Sequence, residues 1–175
     1  MKKFLLVTSL LASSLVVSAQ KNTPQSYIER FKEYAIRIMH ETGVPASIVL
    51  GVAMHESGCG NSLLAKNLNN QFGVKGGSHN VSYRHKKKVS TAYKRYESVY
   101  DSFQDFARIM TERQEFSGLT VSLTHFDYSG WAHGIQKRGY ASSRRWASQV
   151  LDIIKRYQLY MFDENPANVI QLAQN

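Results

Sequence analysis

The amino-acid sequence predicts an α+β fold, mostly α, in a single domain with one small β-hairpin. Three observations carry that prediction. Apolar residues recur at helical spacing in several separate stretches, one stretch is apolar all round, and residues 80–96 switch to a period of two. A chain of 175 residues suits one domain with a real core and is short for two.

The elements follow in order. Thr23-Pro24 reads as an N-cap followed by proline at the first helical position. From there Tyr27, Phe31, Tyr34 and Ile38 share one face, and Gly43 is a natural stop. Val44-Pro45 opens a second helix. Its residues from Ala46 to Met54 are apolar almost throughout, which marks a buried helix, and Gly58 ends it after His55-Glu56-Ser57. A shorter helix is expected from Ser62 to Asn67. Val81 and Tyr83, then Val89, Thr91 and Tyr93, alternate with polar residues around His85-Lys86-Lys87-Lys88, predicting a hairpin with a basic tip. Ser98 with Asp101 three positions on forms a capping-box pattern for a helix to about Arg113. Further helices are expected over Ser129–Lys137 and from Ser142 or Ser143 through Trp146, Val150, Ile153, Ile154 and Tyr157.

The two ends read differently. Lys2 and Lys3, the apolar run Phe4 to Val17 and the small residues Val17-Ser18-Ala19 have the anatomy of a secretory signal peptide, residues 1–19. The run is too short to span a bilayer comfortably. The expected organisation is therefore a signal peptide at 1–19, a domain at 25–162 and a loose tail at 163–175. The chain is expected to be exported, to the periplasm or the cell wall outside. The formal charge is +9, and losing Lys2 and Lys3 leaves +7. A basic exported domain is drawn to polyanions, but charge alone does not choose among them. A lone cysteine, Cys59, allows no internal disulfide.

Glu56 is the candidate for chemistry. It closes the most buried predicted helix, where burial disfavours a charged carboxylate and the partial negative charge of the helix end disfavours it again. A protonated carboxylic acid is what glycosidic cleavage needs, because the leaving oxygen must receive a proton. The competing reading is a helix-end glutamate turned out to solvent. His55-Glu56 also begins like a zinc-protease motif, but Cys59 stands where the second histidine is required. No metal or cofactor is expected. Tyr93, Tyr96, Trp131 and Tyr140 offer aromatic faces on which sugar rings can stack; each also suits the core.

Several motifs in order resemble the glucosaminidase family of peptidoglycan hydrolases, glycoside hydrolase family 73. They are Gly43-Val44-Pro45-Ala46-Ser47-Ile48-Val49-Leu50, His55-Glu56-Ser57-Gly58-Cys59-Gly60-Asn61-Ser62 and Asn69-Asn70-Gln71-Phe72-Gly73-Val74-Lys75. Tyr96 to Phe103, Asp127 to Gly134 and Gly139-Tyr140-Ala141 extend the match over about residues 25–162. The resemblance implies a lysozyme-like fold and cleavage of the β-1,4 bond after N-acetylglucosamine. It implies Glu56 as catalytic acid and Tyr140 as a second catalytic residue in the cleft, with Trp131 and His133 near it. Asn70, Phe72, Lys75 and Tyr93 join these two as expected substrate-binding residues. The expected partner is the glycan strand of peptidoglycan, met by a monomer; neither nucleic acid nor a stable membrane insertion is expected.

Two departures stand out. Cys59 occupies a position where many members have an aromatic residue. Many members also carry a second carboxylate in the hairpin, whereas residues 73–96 here contain no Asp or Glu. Three accounts are open: the substrate's own 2-acetamido group acts as nucleophile, another acid such as Glu97 or Asp127 folds over the cleft, or the protein binds glycan without cutting it. A muramidase or lytic transglycosylase, which manages with a single acid, is a further alternative.

Overall fold

The computed structural model describes residues 21–76, 82–84, 87–89 and 92–163. The predicted signal peptide, and all of the expected tail except Asp163, lie outside the described residues. The architecture is mostly helical, and its centre is the helix whose last turn carries Glu56.

Helix α1 (Pro24–Thr42) starts where its caps predict. Thr23 Oγ1 accepts from the Ser26 amide and Ser26 Oγ accepts from the Thr23 amide, satisfying two orphan donors reciprocally. Helix α2 (Ala46–Ser57) is buried along nearly its whole length, with Ile48, Val49, Leu50, Val52 and Ala53 fully covered. It contacts α1 on one side and α4 (Val99–Glu112), α6 (Tyr128–Lys137) and α7 (Trp146–Arg156) on others. Gly51 permits the close approach of α7: a Cβ there would stand 2.9 Å from Ile154 Cγ1. Short helix α3 (Leu63–Leu68) is capped by Ser62, and α4 by the Ser98–Asp101 capping box. Strands β1 (Ser82–Arg84) and β2 (Lys87–Val89) pair antiparallel, with Ser82 opposite Val89. The expected basic tip lies partly outside the described residues.

Three expectations need correction. Helix α5 (Gln114–Ser122) was not foreseen in the sequence: its N-cap, Arg113, makes no side-chain cap bond, and Gly118, Thr120 and Val121 weaken the local helical preference. Burial of Phe116 and Leu119 holds it instead. Helix α7 begins at Trp146 rather than at Ser142 or Ser143, after a turn in which the Trp146 amide donates to the Ser143 carbonyl. Finally, Asp163 is not part of a loose tail. Pro45 offers no side-chain cap to α2, and Asp163, only 2 % exposed, supplies one from the far end of the chain. Its Oδ1 accepts from the Ser47 amide at 2.8 Å and its Oδ2 from Ser47 Oγ at 2.5 Å.

Candidate active site

The segment after α3 is stitched in place by its two asparagines. Asn69, in a left-handed conformation at φ 53°, ends α3 and donates through Nδ2 to the carbonyls of Tyr96 and Glu97. Asn70 is buried; its Oδ1 accepts from the Val74 amide while its Nδ2 donates to the carbonyls of Val74 and Lys94. Tyr27 Oη donates to Gln71, tying the same segment to α1. The result is a tied-down irregular segment, closed by an isolated bridge between Lys75 and Tyr93.

A cleft of about 790 Å³ opens above this segment. Glu56 enters it from the last turn of α2 and Trp146 from the first turn of α7. Trp146 Nε1 donates to Glu56 Oε1 at 2.7 Å, across 90 residues of sequence. Glu56 is half-buried, neither turned fully out to solvent nor sealed in the core. Gly73 faces it at φ 63°, a conformation that favours glycine; a Cβ there would lie 4.0 Å from Glu56 Oε2. Tyr140 Oη donates to the Phe72 carbonyl at 3.3 Å. The Tyr140 ring packs on Trp146 and edge-on against Phe106 and Phe116, at centroid distances of 5.3, 5.9 and 6.2 Å. Phe72 stacks flat on Phe106 at 4.4 Å.

Burial pushes the Tyr140 hydroxyl well above the ordinary phenol range, and the Glu56 charge pushes it further. Tyr140 therefore stays protonated and serves as a donor. Below the cleft, Asp105 gathers three partners: Tyr96 Oη at 2.7 Å, Lys94 Nζ at 2.9 Å and Arg108. Burial alone would raise its carboxyl, but the hydrogen bonds from Tyr96, Lys94 and Arg108 outweigh that and hold it below the usual carboxylate range. Tyr96, half-buried and bonded to Asp105, is raised in turn. Tyr96 is thus a structural partner of Asp105 and does not line the cleft.

The expected site residues divide. Glu56, Phe72, Lys75, Tyr93 and Tyr140 line the cleft together. Asn70 lies beneath it as a brace. Trp131 does not belong to it: the ring is fully buried and its Nε1 donates to the Thr124 carbonyl, so it is core. His133 also lies off the cleft, exposed on α6 with Nδ1 2.9 Å from the Ser129 carbonyl oxygen. Neither suggested replacement acid reaches the cleft. Asp127 caps α6 by accepting from the Gly130 amide, and Glu97 is exposed at the entry to α4. Residues not singled out beforehand line the walls: Trp146, Arg113, Glu115 and Arg138. Trp146 had a signal, an aromatic on a predicted helix, but its spacing also fits the core face of α7. The other three had none, because they depend on α5 and on the turn after α6. Among the described residues, no cluster of His, Cys, Asp and Glu is arranged to hold a metal ion. No helix among them is long and apolar enough to cross a membrane.

The family model described as "Glucosaminidase: Mannosyl-glycoprotein endo-beta-N-acetylglucosaminidase" matches residues 32–159, most of the chain. The protein belongs to the glucosaminidase family. Relatives of this chain include the exo-glucosaminidase LytG of Bacillus subtilis, 28% identical over 155 residues that cover 82% of this chain and 55% of LytG. The peptidoglycan hydrolase FlgJ of Vibrio cholerae is 25% identical over 171 residues, covering 89% of this chain and 50% of FlgJ. The chain thus spans about half the length of these curated relatives. Solved structures share the fold. The catalytic domain of the Listeria monocytogenes autolysin Auto superposes with a TM-score of 0.67 at 21% identity, covering 84% of this chain and 91% of that one. The glycoside hydrolase domain of Salmonella typhimurium FlgJ gives 0.64 at 22%, covering 88% and 100%.

Proposed function

We propose that this glucosaminidase is a peptidoglycan hydrolase, an endo-β-N-acetylglucosaminidase that cleaves the β-1,4 bond after N-acetylglucosamine with Glu56 as general acid. The observation that carries the reading is the hydrogen bond from Trp146 Nε1 to Glu56 Oε1 inside an open cleft, in a chain of this family. The indole fixes one carboxyl oxygen, so the other is left to face the cleft and protonate a leaving oxygen. Tyr140, kept protonated by burial, holds the Phe72 carbonyl and with it the segment opposite Glu56. Lys75 and Tyr93 supply a cation and an aromatic face for the sugar chain. LytG is named a glucosaminidase and FlgJ a peptidoglycan hydrolase, which supports the same substrate.

The remaining parts of the reading follow. The catalytic domain comprises residues 25–162 with Asp163 added, and residues 1–19 are a signal peptide that directs export to the periplasm or cell wall. Strands β1 and β2 form the small hairpin of a lysozyme-like domain. The protein works as a monomer on glycan strands. A second reading, glycan binding without cleavage, has one observation in its favour: residues 73–96 hold no carboxylate.

The test is digestion of purified peptidoglycan by the wild type and by Glu56→Gln, with products read by mass spectrometry. Fragments with reducing N-acetylglucosamine ends from the wild type alone are the expected result. Folded wild type that binds peptidoglycan and releases nothing would establish the binding-only reading, and 1,6-anhydro ends would mean a lytic transglycosylase.

A further inference from the structure

The wall of the cleft built by α5 and by the turn after α6 carries two arginines, Arg113 and Arg138. Arg113 joins α4 to α5, as C-cap of one and N-cap of the other. Its carbonyl accepts from the amides of Phe116 and Ser117, which fixes its backbone at the head of α5. Its charge lies near enough to the Tyr140 hydroxyl to oppose the rise that burial imposes there. Arg138 follows α6, and its guanidinium lies against both helices. A Cβ at Gly118 of α5 would stand 3.9 Å from Nη2, and a Cβ at Gly134 of α6 would stand 3.3 Å from Nη1. Residues 113 and 118 are separated by about 7.5 Å of helical rise, so both arginines attach to one short stretch of α5.

Neither guanidinium has an acid partner among the described residues, although Glu115 lines the same cleft. Arg108, on the preceding helix, is by contrast tied to Asp105 and Glu112. The C-terminal end of α6 favours a positive charge, which accounts for a cation at Arg138 but not for its seat between two glycines. Holding a long side chain costs rotamer entropy, and here no internal ion pair offsets it. A planar fork of N–H donors kept open on a cleft wall suits a carboxylate arriving from outside. A glycan strand of peptidoglycan offers one only through its muramic residues. Each carries a lactyl ether ending in a free carboxylate, or in an amide to a stem peptide that brings carboxylates of its own. N-acetylglucosamine has none. We propose that Arg113 and Arg138 form a carboxylate subsite that holds the muramic side group and sets a preference for peptidoglycan over neutral glycans such as chitin. The proposal rests on the reading of peptidoglycan as substrate.

Calorimetric titration of the Glu56→Gln protein, so that no strand is consumed, tests it. The ligands are denuded strands and peptide-bearing strands, each in native form and with the carboxylates converted to amides. Amidation should weaken binding of at least one strand type about 10-fold or more. Adding Arg113→Gln and Arg138→Gln should weaken the native form by a similar factor and leave the amidated form unchanged. Lysine at both positions keeps the charge without the fork and should recover part of the loss. A loss on denuded strands assigns the lactyl carboxylate as ligand; a loss confined to peptide-bearing strands assigns the stem peptide. Native and amidated strands bound equally overturn the proposal, with no reliance on the variants' folding. So does a glutamine variant of unaltered melting temperature that binds as its parent does, or that weakens equally on both forms. If wild type releases reducing ends with the same kcat/KM from native and amidated strands, this inference fails and the hydrolase survives. Carboxylate-dependent binding by a wild type that cuts nothing keeps the subsite and brings down the hydrolase.

Discussion

Asp163→Ala tests whether the far end of the chain holds the central helix. The substitution removes two bonds to Ser47, from the backbone amide at 2.8 Å and from Oγ at 2.5 Å, both at a residue with no exposure. A hydrogen bond to a charged group contributes about 1.5–3 kcal/mol, and a buried donor left unsatisfied costs about 1–3 kcal/mol. Loss of an ordinary N-cap costs about 0.5–2 kcal/mol. The two donors share one carboxylate and one site, so their costs overlap, and the expected loss is about 3 kcal/mol. In a domain of this size each kcal/mol moves the melting temperature by about 2–4 °C, which gives a fall of about 6–12 °C. Thermal unfolding followed by circular dichroism reads it. The companion variant Ser47→Ala removes the hydroxyl partner, and the double variant completes a cycle. Coupling of about 1 kcal/mol or more is expected between residues in direct contact. A loss under about 0.5 kcal/mol, or two costs that simply add, would refute the cap.

Further outcomes follow from the same geometry. Trp146→Phe keeps an aromatic ring against Tyr140 but removes the donor to Glu56; kcat should fall about 10- to 100-fold with the fold intact, and an unchanged rate would show that the indole does not hold the acid. Asp105 has a carboxyl lowered on folding, so its contribution to stability is present above the unfolded value of 3.8 and disappears as pH falls through the still lower folded value. Urea midpoints of wild type and Asp105→Asn should therefore differ at pH 7 and converge in strong acid; a gap that persists there would contradict the linkage. Lys75, Arg113 and Arg138 line the cleft without an ion-pair partner among the described residues. Sedimentation of the inactive Glu56→Gln protein with peptidoglycan should weaken as salt rises, since screening shortens the reach of these charges, and binding indifferent to salt would argue for contacts made by neutral groups.

Local signals in the sequence were sufficient where the physics is local. The caps at Thr23, Ser62 and Ser98 satisfy amides three residues away, so the starts of α1, α3 and α4 can be read directly. The apolar circumference of α2 likewise announces its burial. Helix α5 is hidden because its residues favour helix weakly, and only packing of Phe116 and Leu119 selects it. Glu115 and Arg113 are hidden with it. Trp131 and Trp146 look alike in sequence, each an aromatic on a helix, yet one spends its indole hydrogen on the Thr124 carbonyl and the other on Glu56. Nothing in their neighbours decides which. Asp163 is unreadable for a related reason: its partner lies 116 residues back.

The hydrogen bond between Trp146 and Glu56 has a consequence for the order in which the molecule is made. Glu56 is synthesised 90 residues ahead of its partner Trp146. Contacts of such long sequence separation form late, because the intervening loop must close first. A nascent chain, or one clipped ahead of residue 146, carries the Glu56 carboxyl without the indole that orients it. On the reading of Glu56 as general acid, its orientation waits for synthesis through residue 146, and the fold itself acts as the timer.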